Sequence, residues 1–171
     1  MLGLGLGIHS AAARRLTILD STARERGATR TMEHSEELRD LTIRFYEATT
    51  SGDLSFFDRH VSRQEEGVVF VGTDPDEWWE GFDAFREAMR AQSEAMGGMR
   101  IVPGELRAYR EGEVGWVVDR DASFELADGT QIPFRSTLVF RREDGEWKLV
   151  HLHSSLGVRN EEMFGEDVTS F

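Results

Sequence analysis

The stretch "FRREDGEWKLVHLHSS", Phe140 to Ser155, has the form of a β-hairpin. Its middle, "EDGE", combines acidic residues with a glycine, a composition typical of a tight turn between antiparallel strands. The residues on both sides are rich in aromatic, β-branched and other apolar types and suit extended strands, in which successive side chains point to opposite faces. We therefore predict a strand, a turn and a second strand here.

The same period of two extends backwards from this hairpin to Met99. Two further joints, "REGE" and "ADGT", have the composition of hairpin turns. The second half of the chain is thus predicted to be a meander of four strand-like segments, residues 99–112, 113–129, 130–145 and 146–158.

The first half has helical periodicity instead. Residues 35–52 read as a helix that Ser35 caps and Gly52 ends, and Asp53 caps a second, short helix over residues 54–62. A β-rich run, "GVVFVG", precedes a third helix over residues 81–98. Helices followed by an antiparallel meander define an α+β fold.

Composition excludes several classes of partner. With 171 residues the chain suits one domain, and a net charge of −12 repels nucleic acid and anionic lipid, so we expect neither as a partner. No apolar run approaches the roughly 20 residues that cross a bilayer. The glycines of "GLGLG" near the N-terminus follow no strand, so they form no dinucleotide fingerprint, and we expect no cofactor.

The two ends differ from the middle of the chain. We predict that residues 1–31 are a disordered arm or an over-long start, because no periodic apolar face lies there. The first apolar run has no basic residue before it, unlike a signal peptide, so we expect a cytoplasmic protein. Residues 32–158 form the predicted domain, and residues 159–171 an acidic tail.

The order of these elements resembles the nuclear transport factor 2-like superfamily and, within it, the SnoaL-like proteins. The last hairpin is similar to the association (hub) domain of calcium/calmodulin-dependent kinase II, and "WEGFDAF", Trp79 to Phe85, looks like the turn into the third helix of the family. The resemblance covers residues 34–158. It implies a cone, in which a curved antiparallel sheet wraps the N-terminal helices and leaves a pocket inside.

Alternation along residues 115–126 assigns faces to one strand of this cone. Trp116, Arg120 and Phe124 share a mostly apolar face, which we expect to look inward, whereas Asp119 shares the opposite face. A buried guanidinium requires a carboxylate partner or an anionic ligand, so Arg120 would anchor an acid in the pocket. The alternative is that Arg120 lies at the open end of the strand and reaches solvent.

On the last strand, the same alternation turns Lys148, Val150, Leu152 and Ser154 inward. The outward set would include two histidines, His151 and His153, for which no third metal ligand is evident, so we expect no metal site. The outward face would then be too apolar for water, which predicts a homodimer formed through the sheets. Its expected members are Trp147, Leu149, Val139 and Val117.

A pair of tryptophans precedes the third helix. We read "PDEWW" as one helical turn, in which Trp79, together with Phe82, lines the pocket while Trp78 lies on its rim. The alternative is a hydrophobic latch. Tyr46, one residue from the apolar stripe of the first helix, completes the predicted pocket, which would suit a flat or apolar acid.

Three functions remain open from the sequence. The first is binding of a small apolar or aromatic ligand, with catalysis unproven and catalytic residues unknown. The second is a lyase or isomerase, dehydratase-like or ketosteroid isomerase-like, on a polyketide- or steroid-like substrate. An inward carboxylate or histidine with a raised pKa would favour it, but no inward carboxylate is evident on the strands. The third is an oligomerisation hub, favoured by a filled pocket.

Overall fold

The computed structural model describes residues 31–64, 66–95 and 97–165 of the chain. The helices in this part are α1 (Glu36–Ser51), α2 (Leu54–His60), α3 (Phe82–Ala95) and α4 (Asn160–Phe164). The strands are β1 (Glu33–His34), β2 (Val69–Val71), β3 (Trp78–Glu80), β4 (Arg100–Val102), β5 (Leu106–Glu111), β6 (Val114–Glu125), β7 (Gln131–Glu143) and β8 (Glu146–Leu156).

The predicted start and end of α1 and the predicted start of α2 are confirmed by their caps. The Ser35 hydroxyl accepts from Leu38 N at 3.3 Å, and Gly52 takes the left-handed conformation that ends α1, with φ of 69°. A second cap starts α2, where Asp53 Oδ1 accepts from Ser55 N at 3.0 Å. These local bonds satisfy backbone groups that the helix itself leaves unpaired.

The strands form one curved, open sheet in the order β1-β5-β6-β7-β8-β2-β3, with β4 pairing β6 outside this path. All pairs are antiparallel except β2 and β8. Helix α1 packs against β4, β5 and β6, and α2 against β8. The α+β prediction of a curved sheet around N-terminal helices is confirmed.

A β-bulge interrupts β6. Asp119 pairs with Ser136 and Ala122 with Phe134, so Arg120 and Asp121 together oppose one residue of β7. The backbone of Gly104 lies against this bulge, where a Cβ would stand 2.3 Å from the carbonyl carbon of Asp121. The bulge reverses the parity of the strand, so the inward residues are odd-numbered before it and even-numbered after it.

A second bulge lies in β8. Val139 pairs with His151 but the next residue of β7, Phe140, pairs with Leu149, which leaves Val150 as the extra residue. Trp147 and Leu149 are buried on the inner face before this bulge, and Leu152 is buried on the same face after it.

The core lies between the helices and the concave face of the sheet. Phe85 of α3 stacks on Phe70 of β2 at 4.0 Å between ring centroids. Phe45 of α1 stacks on the Phe85 ring as well, and Phe57 of α2 meets that ring edge-on. Phe57, Phe70 and Phe85 are fully buried. This aromatic cluster joins α1, α2 and α3 to the sheet.

Some sequence predictions fall outside the described residues. They include the predicted N-terminal arm, of which only Thr31 is described, and the end of the predicted acidic tail, residues 166–171. Within the predicted tail, α4 leaves Met163 and Phe164 exposed. Across the described ranges, no helix combines the length and apolar character that a membrane span needs.

Candidate functional site

A cavity of about 310 Å³ opens between α1, α3 and the inner face of the sheet. Its wall is mostly apolar, with polar groups confined to a few positions. The lining residues are Phe45, Tyr46, Thr49, Gly72, Thr73, Glu77, Trp79, Met89, Gln92, Met99, Ile101, Phe124, Leu126, Ile132, Phe134, Leu152, Ser154 and Leu156. This size and character suit a small organic molecule.

One wall of the cavity is aromatic. Phe124 of β6 stacks on Phe134 of β7 at 4.2 Å between ring centroids, and Phe134 meets the ring of Tyr46 edge-on at 6.4 Å. The pairing of Ala122 with Phe134 after the β6 bulge is what turns Phe124 inward. The wall therefore presents flat apolar surface to the cavity.

A polar cluster lies in the turn between β2 and β3. Glu77 Oε2 accepts from the backbone N–H groups of Thr73 at 2.7 Å and Asp74 at 3.1 Å. Its Oε1 accepts from Gln92 Nε2 on α3 at 2.7 Å. The Glu77 side chain runs so close to Gly72 that any Cβ there would collide with it. Glu77 is thus held in one position by the turn and by α3.

A second polar cluster lies behind the aromatic wall. The Tyr46 phenol donates to Asp119 Oδ2 at 3.3 Å and lies 2.7 Å from the Ser136 hydroxyl. The Gly104 N–H donates to the same carboxylate oxygen at 3.2 Å. Asp119 is 1% exposed, and its Oδ1 has no hydrogen-bond partner among the described residues. A buried polar atom without a partner is uncommon and calls for a cause.

Burial shifts the pKa values of this pair. Loss of solvent raises the pKa of the Asp119 carboxyl, against the lowering effect of the bonds from Gly104 and Tyr46. Loss of solvent also raises the pKa of the Tyr46 phenol, and the nearby Asp119 charge acts in the same direction. Tyr46 is therefore a neutral hydroxyl at physiological pH.

The structure brings together half of the six predicted pocket residues. Tyr46, Trp79 and Phe124 line the cavity. Phe82 is buried in the core, with the Arg63 guanidinium 3.9 Å from its ring centroid. Trp116 lies on the outer face of the sheet, 5.9 Å from the ring of Tyr109. Neither Phe82 nor Trp116 lines the cavity.

Arg120 is not inside the cone, and the prediction that it faces the pocket is wrong. Its side chain is 71% exposed and pairs with Glu105 at 3.2 Å and Asp121 at 2.9 Å. The β6 bulge is the reason, because strict alternation from Phe124 places Arg120 inward only in a regular strand. Before the bulge, Val117 and Asp119 occupy the inner face.

The tryptophan pair lies in a strand, not in the helical turn that we predicted. In β3, Trp78 and Trp79 point to opposite faces. Trp79 lines the cavity, and its ring centroid lies 6.5 Å from that of Phe85. Trp78 is 59% exposed, and its Nε1 donates to Glu80 Oε1 at 3.1 Å. The different placement of the two rings agrees with the sequence expectation, although its geometric cause differs.

The faces of β8 were predicted correctly only beyond the bulge. Leu152 and Ser154 line the cavity, but Lys148 and Val150 do not. Trp147, Leu149 and Val117, expected on the outer face, are buried inside.

His151 Nδ1 lies 2.8 Å from the carbonyl of Val69. No group of three or more His, Asp or Glu side chains gathers as a metal site within residues 31–64, 66–95 and 97–165.

Sequence reasoning missed three polar residues of the site. Asp119 was assigned to the outer face because the bulge was not recognised; the break "PG" at Pro103–Gly104, which packs on the bulge, is the one signal that marks the place. Glu77 and Gln92 lie 15 positions apart, and nothing in the local pattern predicts their contact.

Comparison with known proteins agrees with this architecture. The family model described as SnoaL-like domain matches residues 38–159, and the chain belongs to that family. No curated protein matches the chain.

Solved structures share the fold at low sequence identity. An NTF2-like protein of unknown function from Pseudomonas putida is 18% identical, with a TM-score of 0.66 over 81% of this chain and 100% of that chain. A candidate dehydratase of the NTF2-like family from Streptomyces avermitilis is 18% identical, with a TM-score of 0.61 over 72% and 97%. A candidate calcium/calmodulin-dependent protein kinase II association domain from Xanthomonas campestris is 15% identical, with a TM-score of 0.56 over 71% and 86%. These likenesses concern the fold alone.

Proposed function

We propose that this SnoaL-like protein binds a small, largely apolar or aromatic molecule in the cavity between its helices and the sheet. The observation that carries the proposal is the open apolar cavity of about 310 Å³, with an aromatic wall and a fixed polar cluster at Glu77. Such a combination gives affinity through apolar burial and orientation through a few hydrogen bonds.

Titration calorimetry with neutral naphthalene derivatives tests this proposal. Two variants of neighbouring residues make a matched pair, because Ser154 lines the cavity and Ser155 belongs to the opposite face of β8. Ser154→Phe should fill the cavity and abolish binding, whereas Ser155→Phe should leave it intact. Equal binding by both variants would place the ligand elsewhere and refute the proposal.

A lyase or isomerase, dehydratase-like or ketosteroid isomerase-like, is the second candidate. It is favoured by the contact between the cavity-lining Tyr46 and the buried Asp119, whose pKa is raised. Groups with shifted pKa values in or beside a cavity are common in acid–base catalysis. In this reading Tyr46 turns its one hydroxyl proton to the carbonyl oxygen of a polyketide- or steroid-like ketone, and a protonated Asp119 donates to the phenol oxygen in its place.

The two candidates separate by their response to Tyr46→Phe and Asp119→Asn. If the protein catalyses proton transfer, turnover of a ketone substrate should fall by about 10²-fold or more while its binding persists. If the site only binds, no turnover above background appears in the wild type, and ligand affinity in both variants stays close to the wild-type value.

The homodimer also stays a proposal. Three of the four residues on which it was based are buried in the core, and Val139 alone of that set lies on the outer face. The outer face nevertheless carries His34, Tyr109 and Trp116 in a row, with neighbouring rings tilted against each other. Light scattering of wild type and Trp116→Glu tests whether two sheets meet there.

The open cavity gives the hub function no support, and the cytoplasmic location stays a prediction.

A further inference from the structure

We infer that Glu77 selects the ligand by charge, so that the cavity takes an apolar molecule bearing a protonated amine and rejects the carboxylic acid of the same shape. This inference rests on the proposed function and reverses the sequence expectation of an acid. It concerns the identity of the ligand, not the existence of the site.

The charge within the cavity has one sign. Glu77 carries the only formal charge among the lining side chains that the structure describes. Arg120, the cation expected to hold an acid, is outside and paired with Glu105 and Asp121. An anionic ligand would therefore lose its hydration without gaining a cationic partner, a cost that apolar surroundings increase.

Glu77 is fixed in the geometry of an acceptor. An ionised carboxylate has about four acceptor positions. Thr73 and Asp74 take two on Oε2, and Gln92 takes one on Oε1. Within the described part of the chain no partner takes the remaining position on Oε1, and Gln92 and Glu77 both line the cavity. A ligand ammonium is a donor that fits this position, and a bond between two charged groups is stronger than one to a neutral donor.

The surroundings of Glu77 leave it little freedom to turn away. Gly72 provides space that no side chain could, since a Cβ there would stand 2.7 Å from the Glu77 Cβ. The turn itself closes through Gly72 N to Glu77 O at 2.9 Å and Glu77 N to Asp74 O at 3.0 Å. Because the Glu77 carboxylate is already ordered, ligand binding costs no further side-chain entropy at this residue.

Three probes of one shape test the inference: naphthalen-1-ylmethanol, 1-naphthylmethylamine and 1-naphthoate. Calorimetry on the full chain at neutral pH should give the order amine, alcohol, acid from tightest to weakest. The amine should bind on the order of tenfold more tightly than the alcohol, as expected for a charged rather than a neutral donor. The preference should persist at about 0.5 M salt, because a contact within the cavity is screened less than surface charges are.

Two variants locate the preference. Glu77→Gln keeps the shape of the side chain and should bring the amine to the affinity of the alcohol. Glu80→Gln removes the same charge from an exposed position of β3, where Glu80 accepts from Trp78. This variant should leave the preference for the amine unchanged. Should Glu77→Gln fail to fold, Gln92→Lys on α3 places a cation against Glu77 and should weaken amine binding while the alcohol still binds.

These outcomes separate the inference about ligand charge from the proposed binding function on which it rests. Equal binding of amine and alcohol to the wild type, or a preference that survives Glu77→Gln, would overturn the inference and leave the proposed binding function in place. Equal loss of preference in Glu80→Gln would assign it to the overall negative charge and also overturn it. No binding of any of the three probes would overturn both.

Discussion

Tyr46 and Asp119, 73 positions apart in the chain, share a hydrogen bond of 3.3 Å between the phenol and Oδ2. The bond joins α1 to β6 beside the bulge, where Ser136 and Gly104 complete the polar cluster. All the polar side chains of this cluster are buried, so it is costly to leave any of them without a partner.

Removing the phenol should destabilise the fold. We expect Tyr46→Phe to lower the free energy of unfolding by about 1–3 kcal/mol, because Asp119 and Ser136 each lose a buried partner. Urea unfolding followed by circular dichroism measures this. Tyr109→Phe is the matched control, since Tyr109 lies on the outer face, where its ring contacts His34 and Trp116. Equal effects in both variants would contradict a role for the buried cluster.

Asp119 should make stability depend on pH in an unusual direction. Its folded pKa is raised above the ordinary 3.8, so the folded state holds the proton more tightly than the unfolded state. The stabilising contribution is complete below the unfolded pKa and is lost as pH rises through the folded pKa. Asp119→Asn resembles the protonated form at every pH and lacks this loss.

Unfolding free energies of wild type and Asp119→Asn, compared between about pH 4 and about pH 8, check the sign. The Asn variant should become progressively more stable relative to the wild type as pH rises. The comparison between the two proteins cancels the opposite trend of the exposed acids, such as Asp58 and Glu87, whose pKa values are lowered by hydrogen bonds from arginine. A constant difference across the pH range would show that Asp119 does not titrate there.

Gly104 should tolerate no side chain. A Cβ would meet the backbone of Asp121 and Ala122 at 2.3–2.7 Å, and backbone cannot rotate away as a side chain can. We expect Gly104→Ala to destabilise by about 1–3 kcal/mol in thermal or urea unfolding. Gly157→Ala, at a glycine with nothing within 4 Å, should change stability by less than about 0.5 kcal/mol. A neutral Gly104→Ala would mean that β4 and the bulge separate easily.

Arg120→Ala should leave both the melting temperature and ligand affinity unchanged. Its guanidinium is exposed, and surface ion pairs such as those with Glu105 and Asp121 contribute little. Thermal unfolding with and without a bound naphthalene probe checks both quantities. Binding of an acid by the wild type that this variant loses would contradict the exposed position of Arg120.

The sequence was informative where structure is local. The caps at Ser35, Gly52 and Asp53 depend on residues within a few positions, and they were predicted correctly. Turn composition likewise located the hairpins, since Gly112, Gly129 and Gly145 all adopt positive φ there. These signals were enough for the fold class and for the family resemblance.

The site was harder to predict because its geometry depends on two irregularities. Alternation assigns faces only while a strand is regular, and the extra residues at Arg120–Asp121 and Val150 each reverse the assignment. Leu152 and Phe124, beyond the bulges, were placed correctly; Asp119 and Trp147, before them, were placed on the wrong face. The Glu77–Gln92 contact is long-range and carries no local signal.

The bulge in β6 has a consequence for how sequences of this family are aligned. Because Arg120 and Asp121 both project outward and Asp119 and Ala122 both point in, losing one of the two would leave every other side chain of β6 on its present face. Length at this position is therefore free to vary without altering the cavity. An alignment that opens its gap at this point matches wall with wall, whereas a gap placed after Phe124 compares this residue with surface positions of its relatives.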